Sequence, residues 1–163
     1  MAITPADILI FYTGGAANAD PNLSLGGVKS NTQAGTLIHQ LFDAVSSAEG
    51  AAGDVEYRAV DIVNNHGSET AVNAVIWISQ ETTSTSTTVA LAYDATGTQN
   101  IADEGTAPTG LTFSTPVTRL TGIALGNIAP GAARRVWIRW TVTAGAGVAV
   151  DVGSFTFGAD SGV

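Results

Sequence analysis

The chain has 163 residues, no cysteine, two histidines and a formal charge of -8, from 14 acidic against 6 basic side chains. This length suits one domain, and the acidity argues against nucleic acid or a polybasic membrane contact, both of which need a basic footprint. Lack of cysteine excludes disulfides, thiolate chemistry and Cys-ligated zinc, and two histidines argue against a multi-histidine metal centre.

No basic n-region and apolar run follow Met1. The chain therefore reads as a full-length cytoplasmic product without a secretory signal. Its longest apolar runs reach about five residues, far below the roughly 20 that span a bilayer. Charged residues make up only 12% of the sequence and glycines number 19, a composition pointing to strands and turns.

Asp7 to Tyr12 is rich in branched and aromatic residues and predicts a first strand. Thr13 to Gly35 is crowded with turn formers, among them Gly14-Gly15, Asp20-Pro21-Asn22 and Gly26-Gly27. A loop this long inside a domain is either an ordered arm clamped by a partner or a functional loop. Leu37, Leu41, Phe42 and Val45 share one helical face, which predicts a helix over Leu37–Val45 with Thr36 as N-cap, ended by Gly50 and Gly53.

From Asp54 onward the pattern is strand and turn. Strands are predicted at Val55–Asn64, Ala71–Ser79, Thr88–Tyr93, Val117–Leu125, Ala133–Thr143 and Val148–Phe157, with a short edge strand at Leu111–Ser114. Asn65–Glu69 reads as a turn with Gly67 free to take a positive φ, and Ala129-Pro130-Gly131 as a type II turn. The tail from Gly158 to Val163 reads as weakly held. Without βαβ alternation, about seven or eight strands imply an all-β, immunoglobulin-like antiparallel sandwich. Residues 1–53 form its strand, arm and helix and residues 54–163 its core, in one domain overall.

Arg134 to Thr143 is the most informative strand. Val136, Ile138, Trp140 and Val142 share one parity and should face the core, while Arg135, Trp137 and Arg139 share the other. Three of the six basic residues lie here. Arginines beside an indole can make cation–π contacts and are common in binding hot spots. Two readings stand: this face meets an acidic partner or a sister subunit, or the arm or helix covers Trp137 within the same chain.

Enzyme motifs fail on spacing. Leu25-Gly26-Gly27-Val28-Lys29-Ser30 lacks the Gly-x-x-x-x-Gly-Lys-Ser/Thr of a phosphate loop, and no His-Glu-x-x-His surrounds His39 or His66. Asp160-Ser161-Gly162 has no second copy to supply a carboxylate pair. Asp94, Asn100, Asp103 and Glu104 offer oxygens but not the spacing of an EF-hand, and read as solvated loop residues. Asp61, between apolar neighbours, should pair with Arg58 or with an arginine on an adjacent strand.

Several stretches together resemble a family of virion structural proteins from tailed bacteriophages and prophages. They are Asp20-Pro21-Asn22-Leu23-Ser24-Leu25-Gly26-Gly27, Gly53 to Arg58, Ala74 to Ile78, and Ile128 to Gly131 with Val136 to Arg139. The resemblance implies a non-enzymatic capsid decoration or cement protein without a cofactor. It would be made in the host cytoplasm and placed on the virion, bridging major capsid subunits or sister copies, with a trimer among the options. Asp20, Pro21, Asn22, Leu25 and Lys29 of the arm, with Arg135, Trp137 and Arg139, are the expected contact residues. The alternatives are a tail, neck or baseplate component, and a carbohydrate-binding attachment module with Trp77 or Trp137 as its stacking platform.

Overall fold

Branched and aromatic side chains at alternating positions build the strands of the computed structural model, which describes residues 2–35, 40–147 and 153–161. The strands are β1 (Ile8–Phe11), β2 (Asp54–Asn64), β3 (Ala71–Gln80), β4 (Thr87–Asp94), β5 (Ile123–Ile128), β6 (Ala133–Val142) and β7 (Ser154–Ser161), with one helix, α1 (Ser47–Ala52). They form a four-stranded sheet of order β1-β2-β6-β4 and a three-stranded sheet of order β5-β3-β7. The named strand pairs are all antiparallel. The expected all-β antiparallel sandwich is therefore the fold.

Every step from β2 to β7 crosses to the other sheet. This differs from the constant-type immunoglobulin domain, in which some consecutive strands are neighbours in one sheet. The centre of the large sheet is the long β2–β6 pair. β2 and β6 pair without a register slip from Asp54↔Val142 to Val63↔Ala133.

Strand parity divides the side chains into two cores. Val60, Ile62, Leu91, Val136 and Ile138 point from the large sheet toward Ala71, Ala74, Ile76, Ile78, Leu125 and Ile128. Each such Ile, Leu or Val contributes about 1.5–3 kcal/mol when fully buried. The opposite parity places Ala59, Ala92 and Trp137 on the outer face of the large sheet, where Ile101 joins them in a second cluster. A sheet face that buries a tryptophan needs a cover, and the arm supplies it.

Five expectations are corrected. Residues 40–46 are not helical; the helix starts at Ser47, and Leu37–His39 lie outside the described residues with Thr36. Leu41 and Phe42 instead pack against the main core, and Phe42 meets the Trp140 ring at 5.5 Å. The local signal that prevails is a capping box: Glu49 N donates to Ser46 Oγ, and Ser46 N to Glu49 Oε2. Gly53, at φ +81, follows the helix, but Gly50 lies buried inside it.

The strand expected over Val117–Leu125 begins only at Ile123, and Leu111–Ser114 makes a single bridge, Leu91↔Ser114. The tail is not loose through residue 161, because β7 runs on to Ser161 and Asp160 pairs with Val72. Gly67 does not adopt a positive φ; the His66 ring holds the turn by accepting from Ser68 N and Glu69 N. Gly131 does, at φ +73, as a type II turn requires, with Ala132 N donating to Ala129 O. Of the strand expected over Val148–Phe157, residues 148–152 lie outside the described residues.

Candidate functional site

The outer face of the large sheet carries three cross-strand rows: Tyr57–Arg139–Ala90, Ala59–Trp137–Ala92 and Asp61–Arg135–Asp94. The central row pairs a tryptophan with two alanines, so the indole lies over small neighbours. Residues 11–15 return alongside 26–33, with Tyr12 N on Thr32 O, Gly14 N on Gly26 O and Gly15 N on Val28 O. The arm is thus an ordered strap. It is fixed to the edge of β2 by Ala59 N, which donates to Ser24 O, and by Ser24 Oγ, which donates to Ala59 O.

Trp137 is completely buried beneath this strap. A Cβ on Gly26 would stand 2.9 Å from Trp137 Cζ2 and 2.1 Å from Gln99 O, so only glycine lets the strap lie this close. Leu25, Tyr57, Leu111 and Phe113 pack against the cluster that Trp137 forms with Ala59, Ala92 and Ile101. Trp137 Nε1 has no hydrogen-bond partner. Of the two readings of Trp137, cover by the arm is the one observed, and Trp137 is closed to a partner or a sugar.

Arg135 is also internal. Its Nε and Nη2 donate to the two carboxylate oxygens of Asp61 at 2.7 and 2.8 Å, and Nη2 donates to Gly27 O at 2.9 Å. The paired arginine expected for Asp61 is therefore the one across the sheet. Burial alone would penalise both charges, and the bidentate geometry offsets that. Arg139 is half-buried with its guanidinium 5.3 Å from the Phe113 ring. Neither Arg135 nor Trp137 is presented to the outside; both hold the arm.

The arm residues divide between anchoring and display. Leu25 packs on the Trp137 cluster, and Lys29 lies 4.2 Å over the Phe11 ring. Asp20 caps a short 3-10 turn, Pro21–Leu23, by accepting from Asn22 N. Asp20 and Asn22 are exposed and Pro21 is half-buried. Leu23 and Val28, which periodicity did not single out, are 56% and 66% exposed. Leu23 lines an open concavity together with residues 14–21.

A second cluster went unread in the sequence. Arg58, wholly buried, reaches from β2 to Glu104 in the loop after β4 and to Asn22 Oδ1 in the arm, and its guanidinium lies 5.5 Å from the Phe42 ring. Glu56 Oε2 stands 3.1 Å from Arg58 Nη2 without a hydrogen-bond partner. Burial pushes the Glu56 carboxyl up to about 8; Arg58 opposes this, and Asp43, Glu104 and Asp54 reinforce it. Glutamate and arginine two apart on one strand face was the available signal, obscured because their partners come from distant loops.

The loop acids are bonded within the chain. Asp94 accepts from Thr96, Gly97 and Gln99. Burial pushes its carboxyl up, but these bonds together outweigh it and hold the group below its ordinary value. Asp103 accepts from Thr106 Oγ1. Among the described residues no group of three or more His, Asp or Glu could hold a metal ion, and no helix is long and apolar enough to cross a membrane. His39 lies outside the described residues.

Comparison with known protein families, with curated proteins and with solved structures finds no match for this chain.

Proposed function

We propose that this chain is a non-enzymatic virion structural protein that decorates a tailed-phage capsid, bridging neighbouring capsid subunits and sister copies. The observation that carries the reading is the form of the Asp20–Gly27 segment, the most distinctive part of the family resemblance. Its Ser24 and Gly26 are buried as anchors, while Leu23 and the adjoining Val28 are held outward on a rigid loop. Apolar side chains displayed on an ordered strap lose little conformational entropy on binding.

In this reading Asp20, Pro21, Asn22, Leu23 and Val28 touch the capsid, and Arg135 and Trp137 support them from beneath. Binding only the assembled shell would stabilise that shell by mass action. Quantitative mass spectrometry of purified particles of the phage or prophage encoding the chain tests this. Several hundred copies per particle are expected of a lattice component. A ring-like number would move the protein to the tail or neck, and absence from particles would overturn the virion reading. A glycan array should then be probed with Trp77, half-buried on the small sheet, as the stacking candidate.

A further inference from the structure

The outer face of the small sheet presents Val75 and Trp77 of β3, both half-buried, beside Gly158 and Asp160 of β7. The Trp77 ring lies close over Gly158, whose Cβ would stand 2.9 Å from it, with Arg119 Cδ at 3.8 Å. Arg119 belongs to the 117–122 turn, which lies on this face. The turn holds Val117 62% and Leu120 96% exposed.

Beside Leu120 is a hollow lined by Asn73, Val75, Arg119 and Leu120 itself. It sits where β3 bulges between Ala71 and Ala74, and Asn73 there takes φ +51, the sole positive φ of a described residue other than glycine. Such a backbone is tolerated by asparagine and marks a place where a strand is re-aimed.

Charge sets this face apart. β3, β5, β7 and the turn together contain one cation, Arg119, and one anion, Asp160, joined at 2.9 Å with both side chains about half exposed. The excess of eight acids therefore lies elsewhere.

We propose that this face is a two-fold interface with a second copy of the chain. Each Leu120 seats in the other copy's hollow, and each Arg119 exchanges its own Asp160 for the other copy's. A two-fold contact must be complementary to itself. Here knob and hollow, and cation and anion, lie side by side on one face. A neutral face is where copies of an acidic chain meet with least repulsion. Trp77 supplies a rigid aromatic anchor at the centre. The exposed Arg119–Asp160 pair contributes little within one chain, so exchanging it costs little.

This deepens the sister-copy part of the proposed function and rests on that part alone. Sedimentation equilibrium of the full chain tests it without any particle, so its failure is distinct from failure of the virion reading. The wild type should reach twice the 16.5 kDa chain mass as concentration rises. L120E should weaken association about a hundredfold, as loss of a hot-spot side chain does. Its monomer should melt as the wild type does, because the side chain is 96% exposed. R119D should also dissociate the dimer, by setting like charges against each other, and R119D/D160R should restore it. A wild type that stays monomeric, or an L120E chain that associates as well as the wild type, overturns the proposal.

Discussion

Trp137 is the largest side chain that the fold buries completely, and it does so on the outside of a sheet rather than between sheets. Its parity with Arg135 and Arg139 was legible from alternation alone. Cover by the arm or the helix was one of two readings the sequence left open; the choice between them was not legible, because the contact is made by Gly26, more than a hundred residues earlier. Trp137→Ala should therefore cost about 3–5 kcal/mol of stability, read by urea unfolding, through the cavity it leaves. A loss under about 1 kcal/mol, the scale of a surface site, would mean that the arm does not pack there. Gly26→Ala should also destabilise. Its φ of +94 costs about 1–3 kcal/mol for any other residue, and the clash with Gln99 O adds to that.

At the scale of elements, the helix shows two sequence signals in competition. The apolar spacing of Leu37, Leu41, Phe42 and Val45 favours a helix, yet Leu41 and Phe42 gain more by packing on the core as non-helical chain. Ser46 and Glu49 cap a helix one step later, and that signal needs no tertiary partner. A six-residue helix has little intrinsic stability, so its cap matters. Ser46→Ala should cost about 1 kcal/mol, measured by chemical denaturation, with protection from hydrogen exchange lost first in residues 47–52. The strands were easier to read, since β2, β3, β4 and β6 lie within one or two residues of their expected bounds. β5 was misplaced because Gly122 packs against Val75 in a turn, and the strand starts only after it.

For the whole molecule, pH sets the balance of two buried carboxyls. Glu56, raised from 4.5 to about 8, binds its proton more tightly folded than unfolded. Its contribution to stability is present in full below pH 4.5 and is lost as pH rises toward about 8. Asp94, held below 3.8, acts in the opposite sense, and its contribution is lost as pH falls through its lowered value. Unfolding free energy should therefore rise as pH is lowered from about 8 toward 4.5, then fall in stronger acid. Glu56→Gln should flatten the first limb and exceed the wild type in melting temperature at about pH 9, where a buried charge is no longer formed. Identical pH profiles for the two proteins would show that Glu56 is not the group responsible.

The sequence by itself determined the strand-rich class, the two-faced character of β6 and the turn at Pro130-Gly131, because alternation and turn chemistry act over a few neighbouring residues. It also marked Thr13–Gly35 as a long segment that is either a clamped arm or a functional loop. Tertiary structure alone decided what the clamp is: Trp137, Arg135 and the edge of β2 in the same chain. It likewise decided the crossing of successive strands between sheets, the joining of Glu56, Arg58, Glu104 and Asn22, and the neutral face bearing Leu120. Those features rest on contacts between residues far apart in the chain, and neither periodicity nor spacing carries that information.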